Sequence, residues 1–284
     1  MRPFILLLGL FQLSSFLPAQ DYKNKYLELL QSQQMEELKK HLIAWEKAEP
    51  QNPEVYIAYF NYHVNAGMRT VQKMGKSQDG RYLMYSEREY DPDHAKAALT
   101  YIDKGLVLAP NRLDIHFGKA RFLAELKEYK VQKDAILAIL EHSLKNGNRW
   151  VWSNGIPVTS GEKSMFAGLE EYIGVWFDNF EATAPYIKEV TERQTVLYPN
   201  NPWGWNLLAG YYRYTENWEQ ALSCLLTAEK LDPGDGIVVA NIGQCYKTLN
   251  QMQKAKEYFK KLETFADPRL KQFAKEQLAK LDTR

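Results

Sequence analysis

Cysteine is nearly absent from the chain, with two among 284 residues. That excludes a disulfide scaffold and a Cys-rich zinc module. Histidine numbers five, and no two stand at a metal-ligand spacing, so the sequence predicts no metal site and no cofactor. Neither sign of charge is in excess: Lys plus Arg is 36 against Asp plus Glu at 35. A dedicated nucleic-acid binder would carry a basic surplus, so no nucleic-acid partner is expected. Beyond residue 20 no apolar run approaches the ~20 residues that cross a bilayer. Catalytic signatures are missing as well. Gly75-Lys76-Ser77 has the tail of a phosphate-binding loop, but Thr70 stands where its first glycine belongs. Ser160-Gly161-Glu162-Lys163 has a Ser-x-x-Lys spacing without the partner motifs of that chemistry, and reads as a helix start capped by Thr159 or Ser160. Glu36-Glu37 and Glu170-Glu171 are adjacent on helices, hence about 100° apart, and form no acid/base dyad. The expectation is a protein that is not an enzyme.

What the chain does have is apolar and aromatic content: 45% apolar residues, with 7 Trp and 18 Tyr. Its start has its own character. Arg2 is the only charge before Asp21, and Phe4 to Phe11 is apolar except for Gly9. A basic start, a short apolar run and a small-residue exit at Ala19 predict a secretory signal peptide over 1–20. The mature protein is then exported, to a periplasm or outside the cell. No Cys lies near the cleavage point, so neither a lipid anchor nor a transmembrane segment is expected in the mature chain.

The mature chain repeats. Laying Pro202–Asp235 over Gly236–Arg269 puts Ala209 on Gly243, Tyr212 on Tyr246, Ala221 on Ala255 and Leu225 on Phe259, each 34 residues apart. Two antiparallel helices approach closely only where small residues occupy the crossing point and a larger one fills the space beside it. Trp205, Leu208, Ala209, Tyr212, Ala221, Leu225, Ala228 and Pro233 resemble the tetratricopeptide (TPR) consensus. So do Val239, Ile242, Gly243, Tyr246, Ala255, Phe259 and Leu262 in the next copy, with Pro268 one residue late. The closest repeats are thus 202–235 and 236–269.

Earlier units match more weakly. Leu38, Leu42, Trp45 and Pro50 read as a second helix, as do Ala98, Ile102, Gly105 and Pro110. Ala120 with Leu123, and Gly174 with Phe177 after Ile173, read as the small and large pairs of first helices. Spacing then requires an insertion over about 67–92, where a Gly-containing turn between Val71 and Tyr82 predicts a small hairpin near 70–85. A second interruption, about 146–163, holds Trp150 and Trp152 among loop formers. The resemblance implies an all-α, right-handed α-solenoid over 21–284. It has six helix pairs at roughly 21–50, 53–110, 112–146, 163–199, 202–233 and 236–266. A capping helix over 268–282 follows, with Asp267 as its cap and Pro268 in its first turn.

In such arrays the first helix of each pair lines a concave face. The resemblance therefore implies a partner-binding set: Asn61 and Asn65, Phe117 and Arg121, Tyr172 and Asp178, Trp203, Asn206, Arg213 and Tyr214, then Asn241, Gln244 and Lys247. Gly210 stands where a carboxylate clamp of this family would place an Asn, so that clamp is not expected. The expected function is a protein-binding or scaffolding module of the cell envelope that holds a peptide or protein partner. The alternatives are a glycan binder using Trp150, Trp152 and Trp203, or an accessory subunit of an envelope enzyme. Cys224 and Cys245 fall on consecutive helices by the repeat count, which leaves open a disulfide between them or two separately buried thiols.

Overall fold

The computed structural model describes residues 19–76 and 79–282 and divides the chain into two compact units, 1–110 and 111–284. The signal-peptide expectation over 1–20 lies almost wholly outside the described residues.

The first unit is built from α1 (Ala19–Gln31), α2 (Met35–Ala48), α3 (Pro53–Gly67) and α4 (Pro92–Leu108). Between α3 and α4 stand β1 (Met68–Lys76) and β2 (Tyr82–Tyr90). Asn52 starts α3 by accepting the Glu54 N–H, and Asp91 starts α4 by accepting those of Asp93 and His94. In both helices Pro sits in the first turn, where its missing N–H costs nothing. Leu38, Leu42 and Trp45 of α2 are buried against Val55 and Tyr59 of α3, and Tyr59 stacks on Tyr101 of α4 at 4.3 Å. The hairpin is longer than the predicted 70–85. Its strands pair one for one from Met68↔Tyr90 to Lys76↔Tyr82.

The second unit comprises α5 (Leu113–Glu125), α6 (Tyr129–Lys145), α7 (Gly161–Asp178), α8 (Phe180–Leu197), α9 (Pro202–Tyr214), α10 (Trp218–Leu231), α11 (Gly236–Thr248), α12 (Met252–Leu262) and α13 (Pro268–Asp282). These helices follow the expected pairs closely. The small residues act as the repeat argument requires: Ala209, Ala221, Ala228 and Ala255 are all fully buried. Gly243 lies so near Phe259 that an added Cβ would stand 2.6 Å from its ring. Asp267 accepts the Arg269 N–H at 2.8 Å and caps α13. Leu270 of that helix covers Gly236, and Phe273 meets Phe259 edge-on at 6.0 Å.

A backbone feature recurs in both units. The turns α1–α2, α5–α6, α9–α10 and α11–α12 each place one residue in the left-handed region: Gln33, Lys127, Glu216 and Asn250, at φ between 56° and 59°. None of the four is glycine, the residue that adopts this conformation without a Cβ penalty.

Two expectations need correction, at Gly174 and Ser160, and the open choice at the cysteines is decided. The fourth unit is out by one residue. Gly174 is not a crossing point, since nothing lies within 4 Å of where its Cβ would be, whereas Ile173 and Trp176 are fully buried. Cys224 and Cys245 are free and buried, so no bridge forms. Each sulfur fills core space as a small apolar group, and burial pushes both thiols up to about 11. Finally, Ser160 begins α7 at φ 54° without a capping bond from its hydroxyl, so it marks the helix start by backbone shape alone.

Candidate functional site

Four of the predicted partner-binding residues, joined by Gly210, meet in one cleft of the second unit. Asn206, Gly210, Arg213 and Tyr214 rise from α9, and Asn241 faces them from α11. Leu207 and Phe177 complete a lining around about 220 Å³. The spacing explains the convergence: 206, 210 and 213 fall on one face of a helix, and one period later Asn241 repeats the place of Leu207 on the neighbouring first helix. Phe177 packs closely over Gly210, its ring 3.2 Å from where a Cβ would stand.

The cleft has a charged wall and an aromatic one. Arg213 donates from Nη1 to Asn241 Oδ1 at 2.7 Å, which fixes the guanidinium across the two helices. Its Nε is buried without a hydrogen-bond partner among the described residues. Opposite, the Tyr214 ring stacks on Phe180 at 4.7 Å and lies 5.2 Å from Phe177. Tyr214 is nonetheless exposed. An exposed aromatic face beside a held guanidinium suits an amphipathic group with a hydrogen-bond acceptor. The volume is below the usual range for cofactor sites and matches side-chain-sized occupants.

Phe177 lies outside the predicted set because the repeat spacing puts Gly174, one residue late, at the small-residue position. With Ile173 at the small-residue position, Phe177 takes the place that Arg213 holds in the next unit. The apolar spacing of Leu169, Ile173 and Trp176 is the sequence signal for this register, and all three are buried.

The other predicted residues lie elsewhere. Phe117 and Tyr172 form a separate contact: the Tyr172 hydroxyl donates to the Phe117 carbonyl at 3.2 Å, and the rings meet edge-on at 5.8 Å. Burial raises the Tyr172 hydroxyl above its ordinary value, so it stays protonated and donating. Arg121 is exposed and faces Glu125 at 3.5 Å, and Asp178 is exposed at the end of α7. Trp203 turns away from the cleft. It packs edge-on against Phe166 at 6.1 Å and lines a different cavity of about 600 Å³ with Asn148, Glu162, Asn201 and Asp232. Lys247 is held by α13, donating to Gln277 at 2.8 Å, while Gln244 is half-buried on α11. In the first unit Asn61 donates to the Tyr26 hydroxyl at 3.1 Å, and Asn65 donates to the Asn61 carbonyl at 2.7 Å.

The tryptophan surface expected of a glycan binder does not form. Trp150 is buried, donating to Ser143 Oγ at 2.9 Å, and Trp152 packs beside Phe117. Among the described residues no group of three or more His, Cys, Asp or Glu could hold a metal, and no helix is long and apolar enough to cross a membrane.

Residues 238–266 match the tetratricopeptide repeat family. No curated protein matches the chain. Solved structures that resemble it include MamA from Desulfovibrio magneticus RS-1, at 17% identity over 86% of this chain and 92% of that one, with a TM-score of 0.31. PilF of Pseudomonas aeruginosa gives 15% identity over 91% and 97%, with a TM-score of 0.40. YrrB, described as a TPR protein with an unusual peptide-binding site, gives 21% over 81% and 96%, with a TM-score of 0.41. Residues 238–266 are thus identified as a tetratricopeptide repeat, and the helix pairs beside it recur with small residues buried at their crossings.

Proposed function

We propose that the protein is a non-enzymatic binding module that holds a peptide or protein segment at the cleft of α9 and α11. The observation that carries this is the convergence of Asn206, Arg213, Tyr214 and Asn241 around one small opening. The Arg213–Asn241 bond pre-organises donors that a peptide carbonyl or carboxylate accepts, and Tyr214 with Phe180 offers a surface for an apolar side chain. A buried donor without a partner is costly, and an acceptor from the ligand offsets that cost. The pattern before Asp21 supports placing this activity in an exported compartment, a periplasm or the cell exterior.

Quantitative mass spectrometry of proteins copurified from the native envelope tests the reading. The comparison is between the wild type and Tyr214→Ala, an exposed position whose change leaves the core intact. A partner retained by the wild type and depleted about tenfold on the variant is expected for loss of an aromatic anchor. An identical set of proteins on both would refute the assignment of the cleft. N-terminal sequencing of the native protein should begin near residue 20. Retention of Arg2 would remove the export argument while leaving the cleft untouched.

A further inference from the structure

The hairpin is the most unusual surface of the first unit. Its distal half exposes Met74, Tyr82, Leu83, Met84 and Tyr85, with Met84 at 72% and Tyr82 at 68%. Residues directly opposite share a face, so Met74, Tyr82 and Met84 stand on one side of the ribbon and Leu83 and Tyr85 on the other. A partner lying flat on the ribbon would cover one side and leave the other in water. End-on entry into a lipid layer would drag Asp79 and Arg81 ahead of the apolar residues.

The two outer edges differ. Strand β1 carries Arg69, Lys73 and Lys76, charges of the kind that keep an edge from recruiting another strand. Strand β2 has none from Tyr82 to Ser86, and it contains no proline and no bulge. The sheet has only two strands, so no third strand covers that edge among the described residues. The uncharged run is bounded by Arg81 before it and Glu87 after it. Those opposite signs make the edge complementary to itself. Antiparallel pairing about Met84 sets each Arg81 opposite Glu87 of the other copy and Leu83 opposite Tyr85. Parallel pairing sets like charge against like. A half-step slip brings Arg81 opposite Arg88. Within one chain Arg81 already meets Asp79, and Glu87 meets Lys73 at 2.7 Å, so each cross-copy pair would extend an existing charge network.

We infer that two copies of this chain join β2 to β2, antiparallel about a two-fold axis at Met84, into one four-stranded sheet. The pairing is isologous and closed. It gives both faces of the ribbon new cross-strand neighbours, Met84 on Met84 on one side and Leu83 on Tyr85 on the other.

Sedimentation of the purified protein over a range of concentrations tests this, with far-UV circular dichroism as the folding control. The wild type should approach twice the chain mass, and Met84→Lys should hold at one chain mass with unchanged helical signal. Arg81→Glu and Glu87→Arg should each weaken the dimer about tenfold, because symmetry counts each cross-strand pair twice. The double reversal should restore most of that loss. Met84→Cys should cross-link to a dimer on mild oxidation, since residues facing each other across the axis lie about 4.5–5.5 Å apart at Cα. The exposed control Val107→Cys should not. A wild type that is monomeric at every concentration overturns the proposal. So does a dimer that survives Met84→Lys, one that ignores both charge reversals, or one that Met84→Cys does not cross-link.

Discussion

Two glycines on first helices of the second unit should respond in opposite ways to the same added methyl group. Gly174→Ala and Gly243→Ala both replace the poorest common helix former by the best, a gain of about 1 kcal/mol in an unobstructed helix. At Gly174 nothing lies within 4 Å of the new atom, so the variant should keep that gain. At Gly243 the methyl would stand 2.6, 2.9 and 3.1 Å from three atoms of the Phe259 ring. That ring is fully buried and closed in by Phe273, so it has no solvent side to slide toward. Inserting a methyl group into such a core costs about 1–3 kcal/mol. The two variants should therefore differ by that amount, with Gly174→Ala the more stable. Thermal melts followed by circular dichroism read the difference, at about 2–4 °C per kcal/mol for a protein of this size. Repeat arrays lose two-state behaviour, so hydrogen exchange in α11 and α12 should locate the weakening. Equal shifts, or a Gly243→Ala protein as stable as Gly174→Ala, would refute the claim that the small residue is demanded by the helix crossing.

Three further outcomes follow from the packing. Alkylation of the unreduced, denatured protein should label two thiols per chain. The native protein at pH 8 should label slowly, since both thiols titrate near pH 11; zero labels after denaturation would mean a disulfide that the structure lacks. Removing α13 from Asp267 onward strips Leu270 from Gly236, Phe273 from Phe259 and Gln277 from Lys247, and should lower the melting temperature and raise dye binding; an unchanged melt would show that α13 closes nothing. His63 Nδ1 lies 3.1 Å from His94 Nδ1, a geometry that needs one proton, not two, between them. Burial, then His94 and Lys39, hold His63 below its ordinary value of 6.5, so its neutral form is the folded one. The unfolded chain binds the extra proton first. Stability is thus complete above about pH 6.5 and falls as pH drops below it, and His63→Gln should flatten that decline in a melt series from pH 7.5 to 5. An equal slope in the variant would place the pH dependence elsewhere.

Helix pairs, both interruptions and the closing helix were readable because each rests on local chemistry. Pro in a first turn, Asp or Asn before it, and an Ala or Gly at fixed offset need no knowledge of distant residues. Packing choices were less readable. Whether Trp150 points outward or toward Ser143 depends on a hydroxyl seven residues away, and nothing in the loop composition reports it. The sequence register of α7 rests on Gly174 as the small residue of a crossing. Here Ile173 and Trp176 make that contact, and the glycine faces the open side. That single residue of error hid Phe177 from the cleft. The place of Trp203 in its unit predicts an inward side chain, but at the helix start it packs on the Phe166 ring and lines the other cavity. The cleft residues Asn206, Arg213, Tyr214 and Asn241 were recoverable because they sit in the two units with the most regular spacing.

The left-handed residues of the four helix turns separate what a turn requires from the residue that occupies it. Glutamine, lysine, glutamate and asparagine differ in charge and length, yet all four hold φ near the same angle. What each turn demands is a torsion, and several side chains tolerate it at a cost of about 1–2 kcal/mol apiece. The same toll is a reserve for engineering. Glycine at 33, 127, 216 or 250 removes a Cβ penalty without touching the core, and four separated sites should contribute nearly additively.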